Sequence, residues 1–291
     1  MISVILPVYN QSRYLAQAVK SVWAQQVEDL ELVIVDDGST DQTPAVIRQL
    51  AAHGPLRAIH QPNAGPAAAR NRGIRESRGE WIAFLDADCY WIPGKLRVQM
   101  ASVSQGPKEK EFCYCGSLLV DDQDAVLMTR IHRNNGRLLD ELIWGNCLST
   151  SSALVRRDRL LEAGLFNEDL RIGEDWDLWL RLASRADTIY VPAALMAERF
   201  NDWDQKYDMP AYEKATKAVL RGFYEFIREN EEARSILDRR QLISSWHLSV
   251  LARSYLHHRK PLKFLELGAQ AILTHPRGIG FLFKLYDRPR V

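Results

Sequence analysis

The chain has 291 residues, which is enough for one large domain or for one domain with an appendage. Hydrophobic residues make up 46% and charged residues 26%, the composition of an ordinary soluble globular protein. The formal net charge of +1 excludes a whole-molecule nucleic-acid binder by charge, and no apolar run reaches the ~18–20 residues of a membrane span.

The N-terminus and the cysteines predict a cytoplasmic protein. Met1 leads directly into the apolar run 2–6, with neither the basic segment nor the cleavage site of a secretory signal. The four cysteines form no CxxC pair and no zinc-like spacing. Reduced thiols in the cytoplasm fit this pattern best.

The first 88 residues alternate between buried-strand patterns and amphipathic-helix patterns. Strands are predicted at 2–8, 30–35, 56–60 and 81–85, and helices at 12–23, 43–52 and 66–77. Ser12 and Thr43 are candidate N-caps, with Pro44 at the first helical position. This alternation predicts a parallel α/β sheet with right-handed crossovers.

Three of these strands end in residues that suit ligand binding. The first is followed by Tyr9-Asn10, the second by Asp36-Asp37, and the fourth by Asp86-Ala87-Asp88. The carboxyl ends of parallel strands meet at one edge, where open α/β sheets bind their ligands. Two carboxylates there suit Mg²⁺ or Mn²⁺ carrying a phosphorylated substrate. An isolated Asp-x-Asp is more often only a polar turn. The polar residues at the ends of the other two strands favour a ligand site here instead.

Further elements are predicted along the second part of the chain. They are helix 95–103, loop 104–111, hairpin strands 112–120 and 125–131, strand 149–156, helix 172–183 and strand 188–191. The first turn of helix 172–183 carries Glu174, Asp175 and Asp177. Exposed N–H groups and the helix dipole favour acids there, which explains one or two of the three structurally.

From about residue 207 the pattern is helical, with helices predicted at 209–229, 233–257 and 262–274. We therefore expect an α/β domain over 1–206 and a helical C-terminal region over 207–291. Residues 251–291 hold eight Lys or Arg and two Asp or Glu. A basic, aromatic-bearing surface suits peripheral contact with an anionic membrane, and an ordinary solvated helix face explains the charge equally well.

Five motifs occur in order at regular spacings. They are Ser3-Val-Ile-Leu-Pro-Val-Tyr-Asn10, Val35-Asp-Asp-Gly-Ser-Thr-Asp41, Asn63-Ala-Gly-Pro-Ala-Ala-Ala-Arg-Asn-Arg-Gly73, Phe84-Leu-Asp-Ala-Asp88 and Gly173-Glu-Asp-Trp176. Together they closely resemble the family-2 glycosyltransferases, which are inverting, nucleotide-sugar-dependent enzymes of GT-A fold. The resemblance covers about residues 1–200. It implies a nucleotide-binding half over 1–103 and an acceptor half over 104–206.

The resemblance assigns ten residues to the nucleotide: Pro7, Val8, Tyr9, Asn10, Asp36, Asp37, Arg70, Asn71, Asp86 and Ala87. Asp37 would accept an N–H of the base, while Tyr9 and the turn backbone frame the ring. A purely structural acidic turn is the alternative for Asp37. Arg70 would meet the base or a phosphate, and a surface helix arginine is the alternative.

The same resemblance implies a metal-assisted inverting mechanism. Asp88 would ligate Mn²⁺ or Mg²⁺ directly and Asp86 would contact ribose or metal, so that the ion neutralises the departing nucleoside diphosphate. Many relatives add a His near the end of the domain, whereas this chain has Glu198-Arg-Phe-Asn-Asp202 and no His for a third ligand. Asp175 matches the general base, and Glu174 is the competing candidate.

Two features bear on the acceptor. Trp176 would stack on the acceptor sugar, and core packing is the alternative for this residue as for Trp179. The Gln-x-x-Arg-Trp motif and the membrane helices of processive relatives are both absent from the sequence, which favours transfer of a single sugar.

Other classes fit less well. A dinucleotide-binding dehydrogenase would show GxGxxG after its first strand, and a sugar nucleotidyltransferase would begin with a Gly-rich loop, where this chain has Pro-Val-Tyr-Asn-Gln. A catalytically inactive nucleotide-sugar-binding relative stays as the alternative. We expect a UDP-sugar donor, with GDP and dTDP donors open, and a saccharide or lipid-linked saccharide acceptor. The expected setting is cell-surface polysaccharide, lipopolysaccharide or glycolipid assembly, in the cytoplasm or peripherally on the inner membrane face.

Overall fold

The computed structural model describes residues 1–105, 110–131, 137–200, 208–229 and 233–283. The strands are β1 Ile2–Val8, β2 Leu30–Asp36, β3 Arg57–His60, β4 Trp81–Phe84, β5 Tyr90–Trp91, β6 Phe112–Val120, β7 Val126–Arg130, β8 Leu154–Arg156 and β9 Thr188–Arg199. The α-helices are α1 Leu15–Trp23, α2 Thr43–Ala51, α3 Pro66–Glu76, α4 Lys95–Val103, α5 Leu138–Leu142, α6 Arg157–Glu162, α7 Glu174–Ala183, α8 Met209–Phe226, α9 Arg234–Asp238, α10 Arg240–His257, α11 Pro261–Thr274 and α12 Gly278–Leu282. Short 3₁₀ helices lie at Thr150–Ser152 and Ile227–Glu229.

One mixed sheet runs through the described part of the chain in the order β3-β2-β1-β4-β8-β6-β9-β5, with β7 paired to β6. The pairs among β1 to β4 are all parallel, as the sequence predicted. Beyond β4 the direction changes, because β8 is antiparallel to both β4 and β6. β9 is parallel to β6 and antiparallel to β5. The predicted parallel sheet is therefore the first half of a larger mixed one.

Helices cover both faces of the sheet. Ile5 of β1 packs in a core with α3 and α7, while Val4 and Leu6 pack in a second core with α1 and α2. This division follows from the two-residue period of a strand, which sends successive side chains to opposite faces. α3 lies very close to β1, because a Cβ on Gly73 would stand 2.4 Å from Ile5 Cγ2.

Several predicted boundaries are wrong. The residues that precede α1 and α2 are Tyr14 and Gln42, and neither helix has a side-chain cap. Ser12 and Thr43 are therefore not the N-caps. Instead the carboxylate of Asp41 accepts the N–H of Thr43 at 2.8 Å, which satisfies one exposed donor of α2.

The second half of the sheet departs further from prediction. The strand predicted at 149–156 is a 3₁₀ turn followed by the short β8. β9 continues to Arg199, beyond the end predicted at 191, although it contains Pro192. The β6–β9 register shifts on both sides of Gly116, and this irregularity lets the strand pass its proline. The short elements β5, α5 and α6 were not predicted.

The C-terminal helices pack on the sheet layer. Val219 and Phe223 of α8 share a core with Trp179 of α7. Trp246 Nε1 of α10 donates to the carbonyl of Trp144 at 3.2 Å. A smaller core, which includes Leu251, joins α10, α11 and α12.

The predicted domain boundary at 206/207 lies outside the described residues. Among the residues that are described, no helix has both the length and the hydropathy required to cross a bilayer.

Candidate active site

The carboxyl ends of β1 and β2 are joined by side-chain to backbone hydrogen bonds. Asn10 follows β1 with φ 51°, a left-handed conformation that Asn tolerates better than most residues. Its Oδ1 accepts the N–H of Thr40 at 2.8 Å and of Asp41 at 3.3 Å. The side chain of Tyr9 beside it is 47% exposed and free to meet a ligand face. Pro7 and Val8 belong to β1 itself, where Val8 is buried.

Asp36 and Asp37 are both buried at the end of β2. Asp36 Oδ1 accepts the N–H of Ser39 at 3.0 Å, and its Oδ2 lies 3.1 Å from His60 Nδ1. Asp37 Oδ1 accepts the Ala64 N–H at 2.9 Å, and Oδ2 accepts the Gly65 N–H at 2.8 Å. These bonds fold the loop between β3 and α3 against β2. The expected contact of Asp37 with a nucleotide base stays a prediction.

Arg70 of α3 is the central charged residue of the site. It is buried, so the alternative of a surface helix arginine is wrong. Its Nη2 donates to Asp86 Oδ1 at 2.8 Å and its Nη1 donates to Glu174 Oε1 at 2.9 Å. Burial alone would lower the pKa of this guanidinium, but the carboxylates of Asp86 and Glu174 raise it. Arg70 therefore stays charged and connects the end of β4 to the start of α7.

Asn71 and Trp176 lie in packing environments. The Nδ2 group of Asn71 donates to the Phe166 carbonyl at 2.9 Å and to Glu168 Oε1 at 2.8 Å, and its Oδ1 accepts the Phe166 N–H at 2.9 Å. Trp176 is 7% exposed, and its Nε1 donates to the Leu142 carbonyl at 2.8 Å. Successive helical residues point about 100° apart, so a motif neighbour of a site residue need not face the site. These packing contacts account for both side chains, and their ligand contacts stay predictions.

Asp86 and Asp88 follow β4 and alternate with the buried residues Ala87 and Cys89. Both acids are partly exposed, and the Asp86 side chain is 28% exposed. The Asp86 N–H donates to Ser151 Oγ at 2.9 Å. In this turn each acid is partly exposed and the residue that follows it is buried in the core.

Glu198 of β9 is a site residue that sequence reasoning missed. Burial raises the pKa of its carboxyl and the charges of Asp86 and Asp88 raise it further, against the lowering effect of its ion pair with Arg130. The 198–202 stretch contains no His, but the carboxylate of Glu198 offers the same type of oxygen ligand as Asp86. Residues 201 and 202 lie outside the described part.

The donor set at the end of β4 fits a divalent cation. Asp86 and Asp88 would supply hard oxygen ligands, and their charges contribute to the raised pKa of the Glu198 carboxyl, an effect that a bound cation would relieve. In the described ranges no group of three His, Cys, Asp or Glu side chains forms a metal cluster. Mg²⁺ in phosphate-binding sites commonly takes one or two carboxylates and completes its shell with phosphate and water.

The start of α7 brings a second pair of carboxylates to the site. Glu174 is buried; burial and the charge of Asp175 raise its pKa, while Arg70 lowers it. Asp175 is partly exposed, with Oδ1 accepting the Trp176 N–H at 2.7 Å and Oδ2 accepting Asn146 Nδ2 at 2.8 Å. Burial raises the pKa of Asp175 against the opposing effects of Arg70 and of these hydrogen bonds. Asn146 carried no sequence signal, because it belongs to none of the motifs.

The two candidate bases differ in accessibility. Glu174 is occupied by its ion pair with Arg70, with side-chain exposures of only 11% and 8%. Asp175 is partly exposed as a residue, and its carboxylate accepts hydrogen bonds from neutral donors rather than from a cation. A proton acceptor must reach the group that it deprotonates, so the geometry favours Asp175 as a base.

Comparisons with known proteins agree with the motifs. The family described as Glycosyl transferase family 2 matches residues 3–160, which is more than half of the chain. An uncharacterized glycosyltransferase of Rickettsia felis is 27% identical over 241 residues, covering 79% of this chain and 39% of that protein. The putative teichuronic acid biosynthesis glycosyltransferase TuaG of Bacillus subtilis is 28% identical over 202 residues, covering 68% of this chain and 78% of TuaG.

Two solved structures are similar over nearly the whole chain. S. aureus TarS 1–349 in complex with UDP-GlcNAc has a TM-score of 0.70 at 20% identity, covering 97% of this chain and 83% of that one. The mannosyltransferase PcManGT of Pyrobaculum calidifontis, in complex with GDP-Man and Mn²⁺, has a TM-score of 0.62 at 21% identity, covering 99% and 88%. At such identities the similarity shows the fold, which is GT-A as predicted.

Length separates this chain from some of its relatives. It spans 39% of the Rickettsia felis protein and 26% of a Rickettsia bellii relative. The family match begins at residue 3 and includes the Asp86-Ala87-Asp88 segment, whereas the Gly173-Glu-Asp-Trp176 motif lies beyond its end at residue 160. The chain belongs to glycosyl transferase family 2.

Proposed function

We propose that this protein is an inverting, metal-dependent and non-processive glycosyltransferase that moves one sugar from a nucleotide sugar to an acceptor hydroxyl. The observation that carries the proposal is the pair of bonds made by Arg70. One buried guanidinium holds Asp86 at the donor edge and Glu174 beside Asp175. The candidate metal ligand Asp86 and the candidate base Asp175 are thereby held in a fixed relative position, as in-line displacement at a sugar carbon requires.

Asp86 and Asp88 would hold Mn²⁺ or Mg²⁺. When bound, the ion supplies Lewis-acid neutralisation of the diphosphate leaving group. Tyr9, Asn10, Asp36 and the loop held by Asp37 would frame the nucleoside. A UDP-sugar is the favoured donor, supported by the UDP-GlcNAc complex of the similar TarS structure. The GDP-Man complex of PcManGT keeps a GDP-sugar as the other candidate.

Asp175 acts as the general base. Its carboxylate takes the proton from the acceptor hydroxyl while that oxygen forms a bond to the anomeric carbon, and the bond from that carbon to the diphosphate oxygen breaks on the opposite face. The Trp176 N–H and Asn146 Nδ2 orient the carboxylate for this transfer. Positioned bases of this kind typically contribute ~10²–10⁴ in rate.

The acceptor is a saccharide or a lipid-linked saccharide of a cell-surface polymer. The similarity to TuaG, named for teichuronic acid biosynthesis, supports this setting. We assign catalysis to an α/β domain over 1–206 and a supporting role to the helical region over 207–291. At the cytoplasmic face of the membrane, the catalytic domain would have access to such an acceptor.

The test compares Asp175→Asn with the wild type and with Asp169→Asn, an exposed acid that precedes α7. Donor binding should be unchanged in all three proteins, and transfer should fall by about 10²-fold or more in Asp175→Asn alone. Near wild-type turnover in Asp175→Asn would show that the base is another group. If the wild type binds the donor but neither transfers the sugar nor hydrolyses the donor, the alternative of an inactive nucleotide-sugar-binding relative is favoured.

A further inference from the structure

A cavity of about 450 Å³ lies in the helical region, between α8, α10 and α11. It is separate from the strand edge that carries Asp86 and Asp88, and no motif of the sequence points to it. Its volume falls in the range of small-molecule sites. The side chains around it include a basic group and an apolar group, beside polar residues such as Thr216, Ser244 and Gln270.

The basic group is Lys217, Arg221, Arg228 and Arg240, and among the lining residues that the structure describes Glu225 is the one acid. All four cations are exposed at the rim. Lys217 and Arg221 are four residues apart on α8, so they project from the same face of that helix. Lys217 forms an ion pair with Glu213 at 2.6 Å. The charge excess at the rim therefore rests mainly on the arginines, and it favours an anionic ligand.

The apolar group excludes a simple anion as the natural occupant. Leu220, Leu237, Leu248 and Leu251 line the cavity below the cations. A free phosphate would gain nothing from these leucines, whereas an aliphatic chain would remove their surface from water. The lining therefore matches a molecule with an anionic head and an apolar tail.

A neighbouring surface has the same character. α11 contributes Gln270 to the cavity, and Leu273 lies three residues further along this helix on the adjoining surface. Leu262, Leu265 and Leu273 of α11 are 82%, 62% and 86% exposed, and Phe283 after α12 is 64% exposed. Contiguous exposed apolar side chains mark a binding surface.

Charge indicates which partner would cover that surface. Residues 251–283 carry five Lys or Arg and one Glu. Apolar side chains among basic ones match an anionic lipid surface, because the apolar groups enter the interface while the cations meet the phosphates.

The cavity also reaches the catalytic helix. His247 lines it, and the His247 ring lies 5.2 Å from the Trp176 ring. His247 Nε2 is 2.9 Å from the carbonyl of Ile143, which fixes the ring in place. The backbone N–H of Trp176 in turn donates to Asp175 Oδ1. A molecule in the cavity therefore lies two side chains away from the candidate base.

We propose that this cavity binds an anionic, phosphate-bearing lipid, with the phosphate against Arg221 and Arg240 and the chain against the leucines. The lipid comes from a membrane surface, which the exposed apolar face of α11 contacts at the same time. This inference does not depend on the proposed sugar transfer, because it rests on residues of the helical region, none of which is assigned to the donor site or to the candidate base.

The test measures co-sedimentation of the full chain with phosphatidylcholine vesicles, with and without phosphatidylglycerol. The variant Arg221→Glu with Arg240→Glu removes the rim charge. The matched control Arg48→Glu with Arg97→Glu makes the same change in net charge at exposed positions of α2 and α4. All four side chains are exposed, so each variant should fold.

We expect the wild type to bind the anionic vesicles and not the neutral ones. The rim variant should lose this binding by about tenfold or more, and the control should keep it to within about threefold. Equal losses in both variants would mean that net charge alone drives binding and would overturn the site. Absence of vesicle binding would overturn it as well.

A second arm separates a lipid from a free anion or a protein partner. Thermal stabilisation by short-chain phosphatidylglycerol should exceed stabilisation by inorganic phosphate, and Leu248→Trp, which fills the cavity, should abolish the difference. Equal stabilisation by phosphate would assign the site to a free anion and contradict the proposal. Self-association that Leu265→Lys reverses, without any lipid binding, would assign the α11 face to a second copy instead.

Discussion

Arg199 donates from Nη1 to the backbone carbonyl of Asp88, with 2.9 Å between the two atoms. Its Nη2 donates to Gln17 Oε1 at 2.7 Å and to Asp124 Oδ1 at 2.6 Å. One buried guanidinium thus connects the proposed metal segment to α1 and to the β6–β7 hairpin. Arg199 is a positioning residue, since it acts on the donor site through the backbone of Asp88.

Replacing Arg199 with Lys should weaken metal binding. An ammonium is a single point of donation and cannot reach three acceptors in the fork geometry of a guanidinium. Loss of such an outer-shell partner typically lowers metal affinity by about 10–100-fold. The Mn²⁺ dependence of transfer should shift accordingly, while kcat at saturating Mn²⁺ stays near the wild-type value. Arg13→Lys is the control, because Arg13 is exposed and pairs with Asp122 on the same hairpin at 3.2 Å. If the Mn²⁺ dependence of transfer in Arg199→Lys is the same as in the wild type, the positioning role of Arg199 is refuted.

Replacing Arg70 with Met should reduce both stability and transfer. Glu174 would remain as a buried carboxylate without its partner, and removing one member of a buried pair typically destabilises by about 3–5 kcal/mol. Denaturant unfolding measures this loss. Arg72→Met is the matched control on the same helix, since the Arg72–Glu76 pair is largely exposed and such pairs contribute about 0–1 kcal/mol.

A double variant identifies the cause of that loss. Glu174→Gln combined with Arg70→Met removes the uncompensated charge, so part of the stability should return while transfer stays low. If the double variant is less stable than Arg70→Met by the full effect of Glu174→Gln alone, the two residues are not coupled and the account of Arg70 is wrong.

The pH dependence of transfer should reflect Asp175. Burial raises its pKa, and a general base works only when it is unprotonated, so kcat/KM should fall as the pH drops through this raised pKa. The acid limb should therefore lie above the ordinary Asp value of about 3.9.

A variant of Asn146 tests the assignment of that limb. Asn146→Ala removes a hydrogen bond that lowers the pKa of Asp175, and the acid limb should move to higher pH. Asn167→Ala, at an exposed position before α7, should leave the limb in place. An unchanged limb in Asn146→Ala would assign the titration to another group.

The first half of the fold was predictable because its signals are local. Runs such as Ile2–Val8 and Trp81–Phe84 are short and apolar, so they indicate buried strands, and the acids that follow them mark the ligand edge. The family motifs lie on these same segments, which is why fold and donor site were predicted together.

The remainder depends on contacts that no local pattern records. Glu174 meets Arg70 across 104 positions of sequence, and Arg199 meets Asp88 across 111. Side-chain direction was equally hidden, since Trp176 is buried and its neighbour Asp175 is partly exposed. The strand predicted to end at 191 instead continues through Pro192 past a register shift in β6.

The most direct test is the thermal stabilisation of the protein by nucleoside diphosphates and nucleotide sugars, each with Mn²⁺ and with EDTA. The proposal predicts a rise in Tm with UDP or UDP-sugars that requires Mn²⁺ and is lost in Asp88→Ala; a ligand at a hundred times its Kd adds about 2.7 kcal/mol. A Mn²⁺-dependent rise in Tm with GDP compounds alone would support the donor site but identify the donor as a GDP-sugar instead of a UDP-sugar. If no nucleotide raises the Tm of the wild-type protein under either condition, the donor site at Asp86 and Asp88 is contradicted.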